Sequence, residues 1–230
     1  MKRSEINAII RDADAFIRSF GIRLPAFAYW TPDDWRAKGP ETHEIVNNNL
    51  GWDITDFGLG DYANKGLFLF TVRNGHPDNL KSGRGKLYAE KLLVVGDGQV
   101  TPLHFHWDKV EDFINLGGGT LIMEMYNSTP EGRLDDTDIT LSIDAVERTV
   151  RAGEQIELAP GESVTLPVLL YHRFWGVGDR VLVREISNVN DDNNDNRFYE
   201  AVGRFPQIEE DEPPLHLLVN DYAAYYGKAR

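Results

Sequence analysis

Two histidines one residue apart, His104 and His106 in "TPLHFHWDKVED", are followed five positions after the second by Glu111. Imidazole nitrogen and carboxylate oxygen together suit a divalent transition metal, and a chain without cysteine has no thiolate to offer in their place. In a strand, residues i and i+2 share a face with Cα atoms about 6–7 Å apart, so both imidazoles turn to one side while Leu103, Phe105 and Trp107 turn to the other. Asp108 and Lys109 supply a turn, and Glu111 opens the return strand beside the pair. The fourth ligand must come from a strand remote in sequence, and His172 in "LPVLLYHRFWG" is the best-placed candidate. His43, His76 and His216 stand in loop-like or tail contexts and read as surface or hydrogen-bonded residues. Three imidazoles and one carboxylate fit Mn2+, Fe2+, Co2+, Ni2+ or Zn2+ and leave about two of six octahedral positions open.

The elements that must hold these ligands are mostly strands. From Gly66 onward, short apolar or alternating runs such as "LFLFTV", "KLYAEKLLVV", "TLIMEMY", "ITLSI" and "RVLVREISNV" are separated by Gly, Asp, Asn and Pro. Turns are predicted at Gly75, Gly96-Asp97-Gly98, Gly117-Gly118-Gly119, Gly153, Pro160-Gly161 and Gly178-Asp179. Around ten strands without intervening helices imply an antiparallel β-barrel or sandwich, not a parallel α/β sheet. Before them, Ile6, Ile9, Ile10, Ala13, Phe16, Ile17 and Phe20 recur at helical spacing, with Ser4 as N-cap and Gly21 just past the end. Thr31-Pro32-Asp33-Asp34 starts a second, short helix that Gly39-Pro40 ends. One domain is expected: a helical and extended arm over 1–65, a barrel over 66–190, and an extension over 191–230 that packs on the barrel or on a second subunit.

Composition sets the outer limits. Lys and Arg number 24 against 37 Asp and Glu, a formal charge of −13 that repels a phosphate backbone and argues against a nucleic-acid partner. No apolar run approaches the length of a bilayer span. The N-terminus "MKRSEINAIIRDADAF" is broken by charges and cannot serve as a secretory signal, so a cytoplasmic protein is expected. Long apolar strands and an aromatic tail make a homodimer the expected assembly.

The spacing of Gly98, His104-Phe105-His106, Glu111 and Gly118 resembles the first metal-binding motif of the cupin superfamily. A second cupin motif is matched by Gly153, Pro160-Gly161, Pro167 and His172, except that the Pro-x-Gly immediately before the histidine is missing. Over nearly its whole length the chain also resembles the cupin-type D-lyxose isomerases. The resembling segments include "AEKLLVVGDGQVTPLHFHWDKVEDFINLGGGTL", "VLLYHRFWG" and "REISNVNDDNNDNRF". The resemblance implies a cupin-like β-barrel with N-terminal helices, and a divalent metal, usually Mn2+, on three histidines and one glutamate. Those ligands carry over to His104, His106, Glu111 and His172. The implied activity interconverts the monosaccharides D-lyxose and D-xylulose, often D-mannose and D-fructose as well.

Aldose–ketose isomerisation removes a proton alpha to a carbonyl and returns one to the neighbouring carbon, through an enediolate, so a proton carrier must reach both carbons. Lys91 in "YAEKLLVV" is a lysine on a strand where an apolar residue is expected, and strand alternation lets only one of Glu90 and Lys91 point inward. Lys91 is the inward candidate, to act as a base or to hold a sugar oxygen; the competing reading is an outward, solvated lysine. Glu185 in "VLVREISNV" has the same character and is the candidate carboxylate base, with a structural ion pair as its rival. Asp195 and Arg197, in the tract "NVNDDNNDNRF", could bind sugar hydroxyls, against the alternative of a solvated loop. Lys109 is either a further sugar contact or a turn lysine. The same ligand set would also serve an iron-dependent cupin dioxygenase, or a cupin that binds sugar without turnover.

Overall fold

A computed structural model of the chain describes residues 1–227. Helix α1 (Arg3–Ser19) follows from the predicted periodicity and buries Ile6, Ile10, Ala13 and Ile17 along one stripe. Its N-cap is Lys2, two residues before the predicted Ser4, because Ser4 is drawn away: its Oγ donates to Asp211 Oδ2 at 2.6 Å. Helix α2 (Pro32–Arg36) starts where Thr31 caps it, its Oγ1 accepting from the Asp34 N–H. Three further short helices, α3 (His43–Asn47), α4 (Pro77–Ser82) and α5 (Tyr222–Tyr225), lie outside the sheet. No helix among the described residues is long and apolar enough to cross a membrane.

The strands are β1 (Gly51–Thr55), β2 (Leu67–Arg73), β3 (Tyr88–Val95), β4 (Thr101–Phe105), β5 (Glu111–Ser128) and β6 (Leu134–Asp135). They continue with β7 (Ile139–Ile143), β8 (Val146–Val150), β9 (Gln155–Leu158), β10 (Ser163–Leu166), β11 (Tyr171–Asn188) and β12 (Arg197–Phe198). Pairing is antiparallel throughout, in the order β1-β2-β3-β11-β5-β10-β7-β8. Strand β4 adds to β11 and β12, while β6 and β9 add to β5. This path runs from β1 to β8 without returning, so the expected barrel is an open antiparallel sheet and is not closed by hydrogen bonds. Its inner face holds one core, including Leu67, Leu69, Leu93, Phe113, Met123, Leu166 and Phe174. Its outer face over β1–β3 and β11 carries Trp52, Ile54, Phe68, Phe70, Leu92, Val94 and Leu182, covered by α1. Burial on both faces explains why "LFLF" and "LLVV" show no polar alternation.

Two of the predicted turns are not turns. Gly117-Gly118-Gly119 lies inside β5, and Gly178-Asp179 lies inside β11; the two 18-residue strands pair along most of their length through a bulge. Glycine is needed there for close approach: a Cβ on Gly118 would sit 2.1 Å from the Arg180 carbonyl oxygen, and one on Gly117 would sit 2.4 Å from the Phe20 ring. Strand β1 was not foreseen, since "GWDIT" is buried at every position and lacks a period-two signature.

Candidate metal centre and active site

Register brings the histidines together. In the β4–β11 pair, His104 lies directly opposite His172, and their ring centroids are 4.2 Å apart. His106 follows β4, and Glu111 opens β5. The ligand atoms of His104, His106 and His172 all lie within 4.8 Å of one another, and all three residues are buried. Glu111 Oε1 is 3.2 Å from His106 Nε2 and 3.1 Å from His172 Nε2.

The back of each imidazole is committed. Nδ1 of His104 meets the Pro102 carbonyl at 2.8 Å, Nδ1 of His106 the Asp195 carbonyl at 2.5 Å, and Nδ1 of His172 the Leu170 carbonyl at 3.0 Å. A carbonyl only accepts, so each Nδ1 carries the hydrogen and each Nε2 of a neutral ring presents a lone pair. Burial, followed by the neighbouring His172 and His106, holds His104 well below the ordinary imidazole range and therefore neutral. Glu111 Oε1 and His172 Nε2 are sealed from solvent with no hydrogen-bond partner. Lone pairs facing one another about 3 Å apart repel; a divalent cation among them converts that repulsion into coordination. The donor set therefore fits a metal, with His104, His106, His172 and Glu111 as the residues that would hold it.

Beside this group runs a chain of buried charges. Lys109 Nζ reaches Glu111 Oε2 at 2.7 Å and Glu185 Oε1 at 3.0 Å. Lys91, opposite Glu185 in the β3–β11 register, reaches the same Oε1 at 3.3 Å and donates to Asn190 Oδ1 at 2.6 Å. Lys91 in turn faces Asp192 at 3.7 Å, and Asp192 faces Arg204 at 3.3 Å. Burial lowers the Lys109 ammonium, but Glu111 and Glu185 outweigh it and hold the group above the usual lysine range. Burial likewise pushes the Glu111 carboxyl up, and the adjacent Lys109 ammonium leads the attractions that outweigh it, holding it well below the usual carboxylate range. Asp192 is raised by burial and lowered further by Lys91 and Arg204, with a net shift downward.

Lys91, Lys109, Glu111, Glu185, His104 and His106 line one cavity with about 40 Å3 free. Asp195 and Arg197 do not line it. The Asp195 carboxylate accepts from the backbone N–H of Trp107 at 2.6 Å and of Asp108 at 2.9 Å, pinning the loop after β4. Arg197 lies over the Phe105 and Trp107 rings and donates to the Gly132 carbonyl. From the same polar tract, Asp192 and Asn196 turn inward instead, and Arg204 and Phe57 complete the wall. Among the aromatics, Phe113 lines the cavity, whereas Trp30 packs on Trp35 away from it.

An antiparallel sheet with a buried three-histidine group able to hold a metal places the chain among cupin-like folds. Solved structures agree on the fold: the L-ribose isomerase of Cellulomonas parahominis aligns with TM-score 0.58 at 17% identity, over 91% of this chain and 98% of that one. The Acinetobacter sp. DL28 L-ribose isomerase in complex with L-ribose aligns with TM-score 0.59 at 15% identity and the same coverage. The D-lyxose isomerase family model matches residues 1–222. The D-lyxose/D-mannose isomerase of Serratia proteamaculans is 46% identical over 98% of this chain and 99% of its own, and that of Escherichia coli O157:H7 is 45% identical over 98% and 100%. The chain belongs to the D-lyxose isomerase family and is an enzyme of the sugar-isomerase class.

Proposed function

We propose that this enzyme is a metal-dependent aldose–ketose isomerase that converts D-lyxose to D-xylulose, and D-mannose to D-fructose, by proton transfer, with Mn2+ as its cofactor. The observation that carries this reading is the meeting of Glu111 Oε1 with the Nε2 atoms of His106 and His172, whose Nδ1 atoms already face backbone carbonyls, beside a third buried imidazole. A divalent cation held by His104, His106, His172 and Glu111 would supply a Lewis acid to stabilise negative charge developing on sugar oxygens.

The remaining work falls to the chain's own groups. Glu185 is the candidate base: its carboxylate takes the proton from C2 of the aldose, giving an enediolate, and returns a proton to C1. The hydroxyl proton lost from O2 is balanced by one gained at O1. Lys91 and Lys109 hold Glu185 from two sides at hydrogen-bond distance, which fixes the direction of its lone pairs. Lys109, held charged, serves as a donor to a sugar oxygen rather than as a base.

Protein stripped of metal, reloaded with Mn2+ and given D-lyxose in deuterated water tests the proposal. Ketose carrying solvent deuterium at C1, formed only after reloading, is the expected result. Ketose made with full retention of the substrate hydrogen would replace proton transfer with a hydride shift, and undiminished activity after complete metal removal would end the metal assignment.

A further inference from the structure

Arg204 belongs to the cavity wall, but nothing in the proton transfer uses it. It stands at the far end of the charge chain that leads from Glu111 through Lys109, Glu185, Lys91 and Asp192. Its Nη2 donates to Asp53 Oδ2 at 2.5 Å and faces Asp192 Oδ2 at 3.3 Å. Its Nη1 is sealed from solvent and has no acceptor. A guanidinium carries only donors, so this idle N–H can be satisfied only by an oxygen lone pair brought to it.

The segment is held rigidly in that position. The Thr55 hydroxyl donates to the Arg204 carbonyl at 2.7 Å, and the Gly203 N–H donates to the Phe57 carbonyl at 2.9 Å. Phe57 itself is buried with φ +55, a left-handed conformation that a bulky residue adopts only when its surroundings impose it. Strand β1, through Asp53 and Thr55, thus fixes Arg204 against the cavity.

We infer that Arg204 is a specificity-determining residue whose Nη1 donates to a hydroxyl oxygen on the part of the sugar remote from the reacting carbons, with Asp53 as its positioning residue. This rests on the isomerase reading, which places C1 and C2 beside Glu111 and leaves the rest of the carbon chain to extend along the charge chain towards Arg204. The recognised group is a neutral hydroxyl and not a phosphate, because Asp53 and Asp192 already face the single guanidinium and a third anion would be repelled.

The test compares kcat/KM for D-lyxose with that for its 4-deoxy and 5-deoxy analogues, in the wild type and in two variants. Arg204→Lys keeps Asp53 neutralised but lacks the second nitrogen. The double variant Arg204→Gln with Asp53→Asn removes both charges together, so no buried carboxylate is left unpaired. In the wild type, one deoxy analogue is expected to fall about 10- to 100-fold below the parent sugar. In the variants that gap should close to within about threefold, by loss on the parent sugar alone. If the double variant does not fold, Arg204→Lys alone decides the question.

Loss of equal size on parent and analogues, or a wild type indifferent to both deoxy positions, would overturn the inference while leaving the isomerase reading intact. A preference for the 5-phosphate over the parent sugar, lost in the variants, would overturn the hydroxyl assignment. A wild type that isomerises neither the parent nor any analogue would sink both readings.

Discussion

Two charge networks in this molecule, one clasped around a buried arginine and one lining the cavity, follow opposite rules. At the chain ends, Arg3 is almost fully buried, and its guanidinium grips Glu210 at 2.9 and 2.7 Å and Asp221 at 2.9 Å through both oxygens. Asp221 Oδ2 also takes the Leu218 N–H at 2.9 Å. These are two bidentate pairs, the form in which a buried ion pair is best compensated for lost hydration. In and beside the cavity, by contrast, Glu111 Oε1, His172 Nε2, Thr101 Oγ1 and Arg204 Nη1 are all buried without hydrogen-bond partners. Each such group costs roughly 1–3 kcal/mol where nothing compensates it. A network that spends every hydrogen bond internally holds the protein together; one that keeps several unspent is arranged to hold something else.

The comparison breaks most sharply at His172. His172→Asn removes one proposed ligand, and the charge stabilisation a metal supplies is worth several kcal/mol, so kcat/KM is expected to fall on the order of 1000-fold or more. Bound metal measured by elemental analysis should fall with it. The metal-free variant should lose little stability against the metal-free wild type, because His172 Nε2 has no protein hydrogen bond to lose and the asparagine amide can keep the Nδ1 donation to the Leu170 carbonyl. Arg3→Met should do the reverse. It leaves Asp221 buried and unpaired, which costs about 3 kcal/mol in urea unfolding, while kcat/KM of the folded fraction is unchanged. A variant at either place that lowered activity and stability in equal proportion would erase the distinction.

How far each network could be read from sequence depends on periodicity. His104 and His106 are visible as a pair because a strand has period two, and Glu111 because a hairpin returns it to them; Lys91 stands out as a charge among apolar neighbours on β3. Asp192, Asp195 and Asn196 lie in a loop with no repeat, so nothing in the residue order marks which of its acids turns inward. Asp195 turns to backbone N–H groups and Asp192 to the cavity. Arg204 and Asp53 are 151 positions apart, and neither stands in a pattern that announces the other. The Arg3 clasp spans 218 positions to Asp221 and is silent for the same reason. Gly117-Gly118-Gly119 misled in a different way: three glycines mark a turn by composition, yet here they let α1 and Arg180 approach a continuous strand.

The smallest effect sharpens the comparison from the clasp side, through pH. The hydrogen bond from Arg3 holds the Glu210 carboxyl below the usual carboxylate range, partly offset by burial. A carboxyl whose folded pKa lies below its unfolded value of 4.5 contributes stability that is fully present above pH 4.5 and is lost as pH falls through the folded value. The Glu210 side chain is 56% exposed, so solvent screens the pair and its contribution stays below about 1 kcal/mol. Glu210→Gln, which carries no titrating group, should therefore be slightly less stable than the wild type near pH 7, and the gap should shrink as pH falls below 4.5, in urea unfolding of metal-free protein. Both proteins share an identical cavity, so acid effects on the histidines cancel in the difference. A gap that stays constant from neutral to acid pH would mean that Arg3 holds Glu210 by shape and not by charge.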